Sequence, residues 1–315
     1  MLKTTKILLI LMFPIHILYA QGYATKIMVA KDGSGDYHSI QDAINATKAF
    51  PDVPIQIFIK AGTYREKVRV YSWNTNLSIM GDSTGSTIIT FDDYFKKVDL
   101  GRNSTFHTYT FKVEANDFYA ANLTIENSAG EVGQAVAVHI EGDRVVFKNC
   151  TFSGNQDTMY LTGENRRQYF KSCQVIGTTD FIFGSATAFF EDCEIVSKKS
   201  SYITAASTPE NAKYGFVFKN CKLIGDEIEK GSVYLGRPWR TYAKTVFIDC
   251  EMGEHIHPKG WKEWNSDGNA FYAEYNSSGQ GSDTSQRVDW SFQLSKKEAA
   301  KYDIVNVFRG WEPRR

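Results

Sequence analysis

Two aspartates in short motifs are the first candidates for chemistry in this sequence. Asp157 lies in GNQDTMY and Asp180 lies in TTDFIFG. Each follows a cysteine, Cys150 or Cys173, by seven residues. If the cysteines mark a structural repeat, the two carboxylates occupy equivalent positions on neighbouring units and lie close together. Repulsion then raises the pKa of one carboxyl group and leaves the other ionised, which places a proton donor beside a nucleophile or base.

The alternative interpretation of this spacing is a ladder of solvated acids on the outer surface of a repetitive protein. The neighbouring residues argue against it. Asp180 is followed directly by the apolar segment Phe-Ile-Phe, and Asp157 lies between Gln156 and the apolar residue Met159. Acids that contact only solvent have no need of such surroundings, so the sequence favours a reactive pair.

The cysteines do mark a repeat. Five segments carry Phe three residues before a Cys, a small polar residue directly before it and an apolar residue two positions after it. They are VVFKNCTF (145–152), QYFKSCQV (168–175), AFFEDCEI (188–195), FVFKNCKL (216–223) and TVFIDCEM (245–252). Leu123 and Leu77 take the cysteine position in two similar segments. From Leu123 onward the spacings are 27, 23, 20, 28 and 29 residues, which is typical of a solenoid.

These units predict an all-β protein, a parallel β-helix. They are rich in Phe, Val, Ile and Thr and alternate over only a few residues, as short strands do. The polar residue before each Cys predicts a bend. A helix that begins at Ser39, with Asp42 three residues on, is predicted to cap the N-terminal end. After Met252 we expect loops over the Gly/Ser/Asn-rich residues 265–286, followed by a short helix in SKKEAAKY (295–302) along the solenoid.

The N-terminal end predicts export. In residues 1–20, Lys3 and Lys6 precede an apolar run that ends before Ala20, which is the pattern of a secretory signal. The run of about twelve residues is too short for a bilayer, which requires about twenty. We therefore expect a secreted or periplasmic protein without membrane attachment after signal removal. No linker divides the remainder, so residues 21–315 are predicted to form a single domain.

The charge composition argues against some classes of binding partner. Lys and Arg total 36, Asp and Glu total 36, and the pI is near 7, so nothing suggests a nucleic-acid partner. We expect a monomer. Export permits disulfides, but the five cysteines share one inward position, and free Cys packs well as a small hydrophobic residue. The cysteines are therefore predicted to be buried thiols.

With these segments in view, the sequence resembles the pectin methylesterases, also called pectinesterases, of carbohydrate esterase family 8. The resemblance covers essentially the whole chain after the predicted signal, and its motifs occur in the family's order. They are VAKDGSGDYHSIQDAI (29–44), GTYREKV (62–68), GQAVAV (133–138), GNQDTMY (154–160), TTDFIFG (178–184), LGRPW (235–239) and FYAEYNSSGQG (271–281). Because these motifs begin directly after the signal, we expect no long inhibitory segment of the kind found in many plant members.

The resemblance implies a single-stranded right-handed parallel β-helix that hydrolyses the C6 methyl esters of galacturonate units in pectin. It implies that Asp180 is the nucleophile and Asp157 the general acid/base. Gln134 and Gln156 resemble the amides that stabilise the oxyanion, and Arg237 resembles the residue that keeps Asp180 ionised. A carboxylate can serve as such a nucleophile, since its attack on the ester gives an acyl anhydride.

The resemblance also indicates where the polysaccharide binds. Trp239 resembles a sugar-binding surface and Thr105 a substrate contact. Tyr64 and Phe181 are weaker candidates for stacking against sugar rings. His139, His255 and His257 show no spacing typical of metal ligands, so no metal or other cofactor is predicted.

Two kinds of alternative stay open. Another pectin-active enzyme on this scaffold would be a glycoside hydrolase with paired acids or a calcium-dependent lyase, which requires several clustered carboxylates. A non-catalytic sugar-binding solenoid would keep Trp239 but would have no need for Asp157, Asp180, Gln134 and Arg237 together. The joint presence of these four residues favours the esterase.

Overall fold

The computed structural model describes residues 22–264 and 267–313. The signal peptide predicted for residues 1–20 lies outside the described residues. Within them, short strands form three sheets, and successive turns of the chain add one strand to each sheet in order. Neighbouring strands pair in parallel, one coil apart in sequence. The predicted parallel β-helix is confirmed. No helix in the described residues has the length and apolar character required to cross a membrane.

The chain enters the first, second and third sheets in that order. The first sheet contains Lys26–Val29, Ile55–Ile59, Leu77–Gly81, Tyr119–Ala121, Val145–Lys148, Arg167–Lys171, Thr187–Glu191, Phe216–Lys219, Lys244–Ile248, Phe271–Tyr275 and Phe292–Gln293. The second sheet contains Gly62–Arg65, Thr87–Phe91, Thr124–Asn127, Thr151–Ser153, Gln174–Gly177, Glu194–Ser197, Lys222–Gly225 and Glu251–Met252. The third sheet contains Val68–Val70, Phe111–Val113, Val138–Ile140, Met159–Leu161, Ile182–Gly184, Tyr202–Ala206 and Tyr234–Gly236.

The interior consists of columns of equivalent residues from successive coils. The repeat phenylalanines form one buried column, with neighbouring ring centroids 4.4 to 5.8 Å apart. The cysteines Cys150, Cys173, Cys193, Cys221 and Cys250 form another, and all are buried free thiols. Each fully buried phenylalanine stabilises the fold by roughly 2 kcal/mol. The prediction that the cysteines point inward and pack as hydrophobic residues is confirmed.

The bend before each cysteine is a left-handed residue. Asn149, Ser172, Asp192, Asn220 and Asp249 have φ between 50° and 53°. A side chain with a Cβ atom rarely adopts this conformation, and Asn and Asp tolerate it best. The predicted bend is therefore confirmed, and it explains why small polar residues occupy this position. Each bend turns the chain from the first sheet into the second.

Leu123 takes the cysteine position as predicted, but Leu77 does not. Phe147 pairs with Ala120, which in turn pairs with Ile79. Leu77 therefore lies two residues before the phenylalanine position rather than three residues after it. The prediction for Leu77 was therefore wrong. The Asn before Leu77 resembles the polar residue before each cysteine, but Leu77 is the first residue of its strand, whereas the cysteine position follows the end of a strand.

Residues 265–286 are not all loops, as the sequence suggested. Phe271–Tyr275 forms a strand that pairs with Lys244–Ile248 and adds a further coil to the first sheet. Glu274 stands opposite Phe247 in this pairing and is buried in an ion pair with Arg287 at 2.9 Å. Because a charged residue replaces the phenylalanine of the repeat, the sequence pattern does not show this strand.

Helices cover the ends and one side of the solenoid. The predicted N-terminal helix is confirmed as Ile40–Asn45, where the Ser39 hydroxyl accepts a hydrogen bond from the backbone N–H of Asp42 at 3.1 Å. The predicted C-terminal helix is confirmed as Lys296–Ala299. The other helical segments are Phe95–Val98 and Ile304–Val307, together with 3₁₀ turns at Gly101–His107, Gln280–Ser282 and Ala300–Tyr302.

The cysteine column predicts a specific thiol titration. Native protein is expected to react with Ellman's reagent at few of its five cysteines, whereas unreduced protein in denaturant is expected to show close to five. Burial raises the pKa of Cys173 and Cys221 well above that of a free thiol, which also suppresses reaction with the reagent. A value near one in unreduced, denatured protein would mean that two disulfides exist and would contradict the buried column.

Candidate active site

The predicted site residues meet on the outer side of the third sheet. A cleft of about 500 Å³ lies there. Its walls carry both candidate carboxyl groups together with amide, guanidinium and aromatic side chains. The lining residues are Phe95, Arg102, Thr105, Phe106, Gln134, Gln156, Asp157, Asp180, Phe183, Ala205, Arg237, Trp239 and Trp264. Seven of the nine residues predicted from the sequence are among them, and the two that are not are Tyr64 and Phe181.

The coil register brings Asp157 and Asp180 onto neighbouring rungs, as the 23-residue separation predicted. Met159 pairs with Ile182, two residues after each aspartate. The backbone N–H of Asp157 donates to the carbonyl of Thr179 at 3.0 Å. Both aspartates have left-handed backbones, with φ of 66° and 49°. Each therefore forms the bend that leads into a strand of the third sheet and turns its side chain outward into the cleft.

Arg237 binds Asp180 through two parallel hydrogen bonds. Its Nε donates to Oδ1 at 3.0 Å and its Nη2 donates to Oδ2 at 2.6 Å. A bidentate guanidinium–carboxylate pair of this kind fixes orientation as well as charge. Gly236, directly before Arg237, packs closely against Thr204 of the neighbouring strand, where a Cβ would lie 1.9 Å from the Thr204 hydroxyl oxygen.

The surroundings of the two carboxyl groups shift their pKa values to different extents. Burial raises the pKa of Asp157 well above its ordinary value, and the neighbouring Asp180 raises it further, while Arg237 acts in the opposite direction. Burial also raises the pKa of Asp180, but the hydrogen bonds and charge of Arg237 oppose that rise. Arg237 thus limits the upward shift at Asp180 rather than reversing it. Of the two carboxyl groups, Asp157 is therefore the one shifted more strongly toward its protonated form.

Gln134 and Gln156 face the cleft from adjacent coils. The backbone carbonyl of Gln134 accepts from Phe95 N–H at 2.9 Å, and that of Gln156 accepts from Ala135 N–H at 3.1 Å. These bonds fix the backbone at both glutamines. Among the described residues, no hydrogen bond engages either side-chain amide, so both N–H₂ groups are available to an oxygen that develops charge in the cleft.

One wall of the cleft is a row of aromatic rings. The ring centroid of Tyr160 lies 4.9 Å from that of Phe106 and 4.7 Å from that of Phe183. Phe183 meets Trp239 edge to face at 5.8 Å. Thr105 is on the 3₁₀ turn that also presents Phe106. Trp239 and Thr105 therefore both line the cleft, and their roles as substrate contacts stay predictions.

Two predicted sugar contacts are wrong. The side chains of Tyr64 and Phe181 are 1% and 0% exposed and belong to the main core, so neither ring can stack on a ligand. The Tyr64 hydroxyl instead donates to the carbonyl of Lys60 at 3.0 Å. Phe181 follows the left-handed Asp180 and turns inward, and the outward ring of this segment is Phe183.

Sequence reasoning also missed several cleft residues. Phe106 and Phe183 belong to the aromatic wall, Phe95 and Arg102 come from the segment before the third-sheet strand at 111–113, and Trp264 comes from the segment after the last cysteine coil. Phe183 was visible as the second aromatic residue of TTDFIFG, and the others carry no repeat signal. Within the described chain, no group of three His, Cys, Asp or Glu side chains is arranged to hold a metal ion.

Comparison with known proteins identifies the family. Residues 26–310 match the family model described as pectinesterase. The chain belongs to the pectinesterase family. Among plant pectinesterases, the probable pectinesterase/pectinesterase inhibitor 58 of Arabidopsis thaliana is 36% identical, over 93% of this chain and 54% of its own length. The pectinesterase/pectinesterase inhibitor PPE8B of Prunus persica is 35% identical, over 94% of this chain and 60% of its own length. The chain spans about half the length of the curated relatives it matches.

Solved pectinesterase structures have the same fold. The pectin methylesterase from carrot is 33% identical with a TM-score of 0.83, and the match covers 90% of this chain and 93% of that one. The pectin methylesterase from Erwinia chrysanthemi is 29% identical with a TM-score of 0.81, covering 94% and 99%. A pectin methylesterase in complex with a hexasaccharide is 30% identical with a TM-score of 0.79, covering 94% and 100%.

Proposed function

We propose that this protein hydrolyses the C6 methyl esters of galacturonate units in pectin and releases methanol and demethylated pectin. The observation that carries the proposal is the pair of aspartates in one cleft, with Asp180 bound by Arg237 and Asp157 buried without an ion pair to any residue that the structure describes. Membership of the pectinesterase family and the similarity to a pectin methylesterase that binds a hexasaccharide support it. The aromatic wall suits a polysaccharide, because ring faces pack against the apolar faces of sugars.

In the first step, an ionised Oδ of Asp180 attacks the carbonyl carbon of the ester. The carbonyl electron pair moves onto oxygen, and the amides of Gln134 and Gln156 donate hydrogen bonds to this oxyanion. The tetrahedral intermediate collapses as the carboxyl proton of Asp157 passes to the methoxy oxygen. Methanol leaves, and an acyl anhydride joins the galacturonate carbonyl to Asp180.

In the second step, Asp157 is a carboxylate and acts as a base. It takes a proton from a water molecule while the water oxygen attacks the anhydride carbonyl. The bond to Asp180 breaks, and its electron pair returns to the Asp180 carboxylate, which Arg237 again stabilises. The product is a galacturonate carboxyl group, and Asp157 again carries its proton, so the site returns to its initial state.

The biological setting is also part of the proposal. We propose that residues 1–20 direct export, that residues 21–315 form a single catalytic domain, and that this domain acts as a monomer on pectin in the periplasm or the medium. The plant relatives named above as pectinesterases support pectin as the substrate. No metal or cofactor takes part in either step.

The reaction type can be tested against the pectin lyases and glycoside hydrolases. Purified protein is expected to release methanol from methylated pectin with one new acid group per methanol, because only the ester bond is cleaved. Polymer length is expected to stay constant, and excess EDTA is expected to leave the rate unchanged. Methanol, titratable acid, viscosity and ultraviolet absorbance measured on the same samples check these results.

The matched control substrate is fully demethylated polygalacturonate, from which no acid or methanol is expected. Shortening of that polymer would indicate a glycoside hydrolase instead. A rise in ultraviolet absorbance from unsaturated chain ends, or loss of activity in EDTA, would indicate a calcium-dependent lyase and would overturn the proposed function.

A further inference from the structure

The guanidinium group of Arg237 lies between two aromatic rings. Its Cζ is 4.0 Å from the ring centroid of Tyr202 and 4.1 Å from that of Trp264. Both rings therefore contact the cation, while its Nε and Nη2 donate to Asp180. Tyr202 comes from the third-sheet strand one coil before Arg237, and Trp264 comes from the segment after the last cysteine coil.

We propose that Tyr202 and Trp264 are positioning residues that clamp Arg237 so that its hydrogen-bonding fork stays aligned with Asp180. This inference rests on the proposed function, because it assigns the two rings a role in keeping the nucleophile ready for attack. An arginine side chain has several rotatable bonds, and a ring against the guanidinium restricts the group to one plane. Cation–π attraction in a partly buried site adds to this restraint.

The ring of Tyr202 is itself packed against further aromatic rings. Its ring stacks on that of Tyr234 at 5.6 Å, and the ring of Tyr234 stacks on that of His257 at 4.2 Å. The clamp is thus one end of a row of stacked rings that continues along successive coils. Trp264 is 42% exposed and covers the other side of Arg237. Because Trp264 also lines the cleft, whereas Tyr202 is not among the lining residues, Tyr202 provides the cleaner test.

The charges around Asp180 determine how loss of the clamp changes the pH profile. The titratable groups that interact with Asp180 or with its partner are Asp157, Arg237, Tyr202 and Tyr272. Arg237 is the one that stabilises the ionised form of Asp180. If the guanidinium tilts away, the pKa of Asp180 rises further. The acidic limb of kcat then moves to higher pH, since attack requires the carboxylate.

The experiment compares Tyr202→Leu with Tyr202→Phe. We expect Tyr202→Leu to lower kcat near neutral pH about tenfold, to shift the acidic limb upward and to leave KM for methylated pectin nearly unchanged. Tyr202→Phe keeps the ring and is expected to restore both kcat and the limb. Tyr71→Leu is the matched control, because Arg69 lies 4.9 Å from the Tyr71 ring outside the cleft, and this variant should behave as wild type.

A wild-type kcat and an unshifted acidic limb in Tyr202→Leu would overturn the clamp. So would a loss of activity that Tyr202→Phe fails to restore. Hydrogen exchange of the Arg237 Nε proton, followed by NMR, tests the clamp without turnover, and faster exchange is expected in Tyr202→Leu alone. If the wild type releases no methanol while this exchange difference is present, the proposed function fails and the clamp stands. If the exchange rates are equal, the clamp fails whatever the activity.

Discussion

Replacing Asp180 with asparagine is expected to lower methanol release from methylated pectin by about four orders of magnitude or more. The amide has nearly the shape of the carboxylate but cannot attack the ester, so no acyl anhydride forms. Arg237 also loses its anionic partner, so its side chain is held less firmly in the site. A rate assay with methanol detection, at pH values on both sides of neutrality, checks this result.

The control for this variant is Asp192→Asn. Asp192 has a left-handed backbone like that of Asp180, with φ of 52° and 49°, but lies at the bend between the first and second sheets. It is expected to retain wild-type methanol release. A folded Asp180→Asn protein with substantial activity at any pH would exclude a carboxylate nucleophile at this position.

Replacing Asp157 with asparagine is expected to lower turnover by about 10²- to 10⁴-fold, which is the usual range for loss of a general acid or base. The variant can neither protonate the departing methoxy group nor activate water, although slow attack by Asp180 still occurs. A covalent adduct with a methylated oligogalacturonate is therefore expected in the intact mass of Asp157→Asn but not of Asp180→Asn.

The pH profile separates the two roles further. The wild type is expected to follow a bell shape, because Asp180 must be ionised and Asp157 must be protonated for the first step. Burial raises the pKa of Asp157 well above the ordinary value, so its loss of a proton forms the basic limb. In Asp157→Asn that limb is expected to disappear from the residual activity while the acidic limb remains. Survival of both limbs would show that another group supplies the proton.

The spacing of the cysteines was sufficient to predict the β-helix and the proximity of the two aspartates. In a parallel solenoid, residues one coil apart occupy the same position on adjacent strands, about 4.8 Å apart. A separation of 23 residues, one coil, therefore predicts that Asp157 and Asp180 are neighbours on adjacent strands. Few other folds allow sequence distance to be converted into contact so directly.

The same counting could not place Arg237 or the aromatic wall. Arg237 lies 57 residues after Asp180, and only the resemblance of LGRPW to the family motif connected them. The choice of Phe181 over Phe183 failed because the left-handed Asp180 resets which residue points outward, and this conformation is not visible in the sequence pattern. The prediction for Tyr64 failed because a family motif can contain a core residue as readily as a ligand contact, and Tyr64 is buried in the core.

The strand Phe271–Tyr275, which adds a further coil, could not be predicted from the sequence for a different reason. Its bend residue Asn276 has φ of 50°, as in the cysteine coils, but Glu274 replaces the phenylalanine of the frame. Burial of this carboxylate depends on Arg287, whose guanidinium lies 2.9 Å from it. A buried ion pair between residues in different segments leaves no periodic signal, so hydrophobic patterning alone could not find this strand.

The most direct test of the paired-carboxylate esterase is methanol release by three proteins in parallel: the wild type, Asp180→Asn and Asp157→Asn. Circular dichroism of each preparation establishes that the β-structure is intact. We expect methanol from the wild type and a loss of at least about a hundredfold in both variants, with the greater loss in Asp180→Asn. Near-wild-type methanol release from either folded variant would contradict the mechanism.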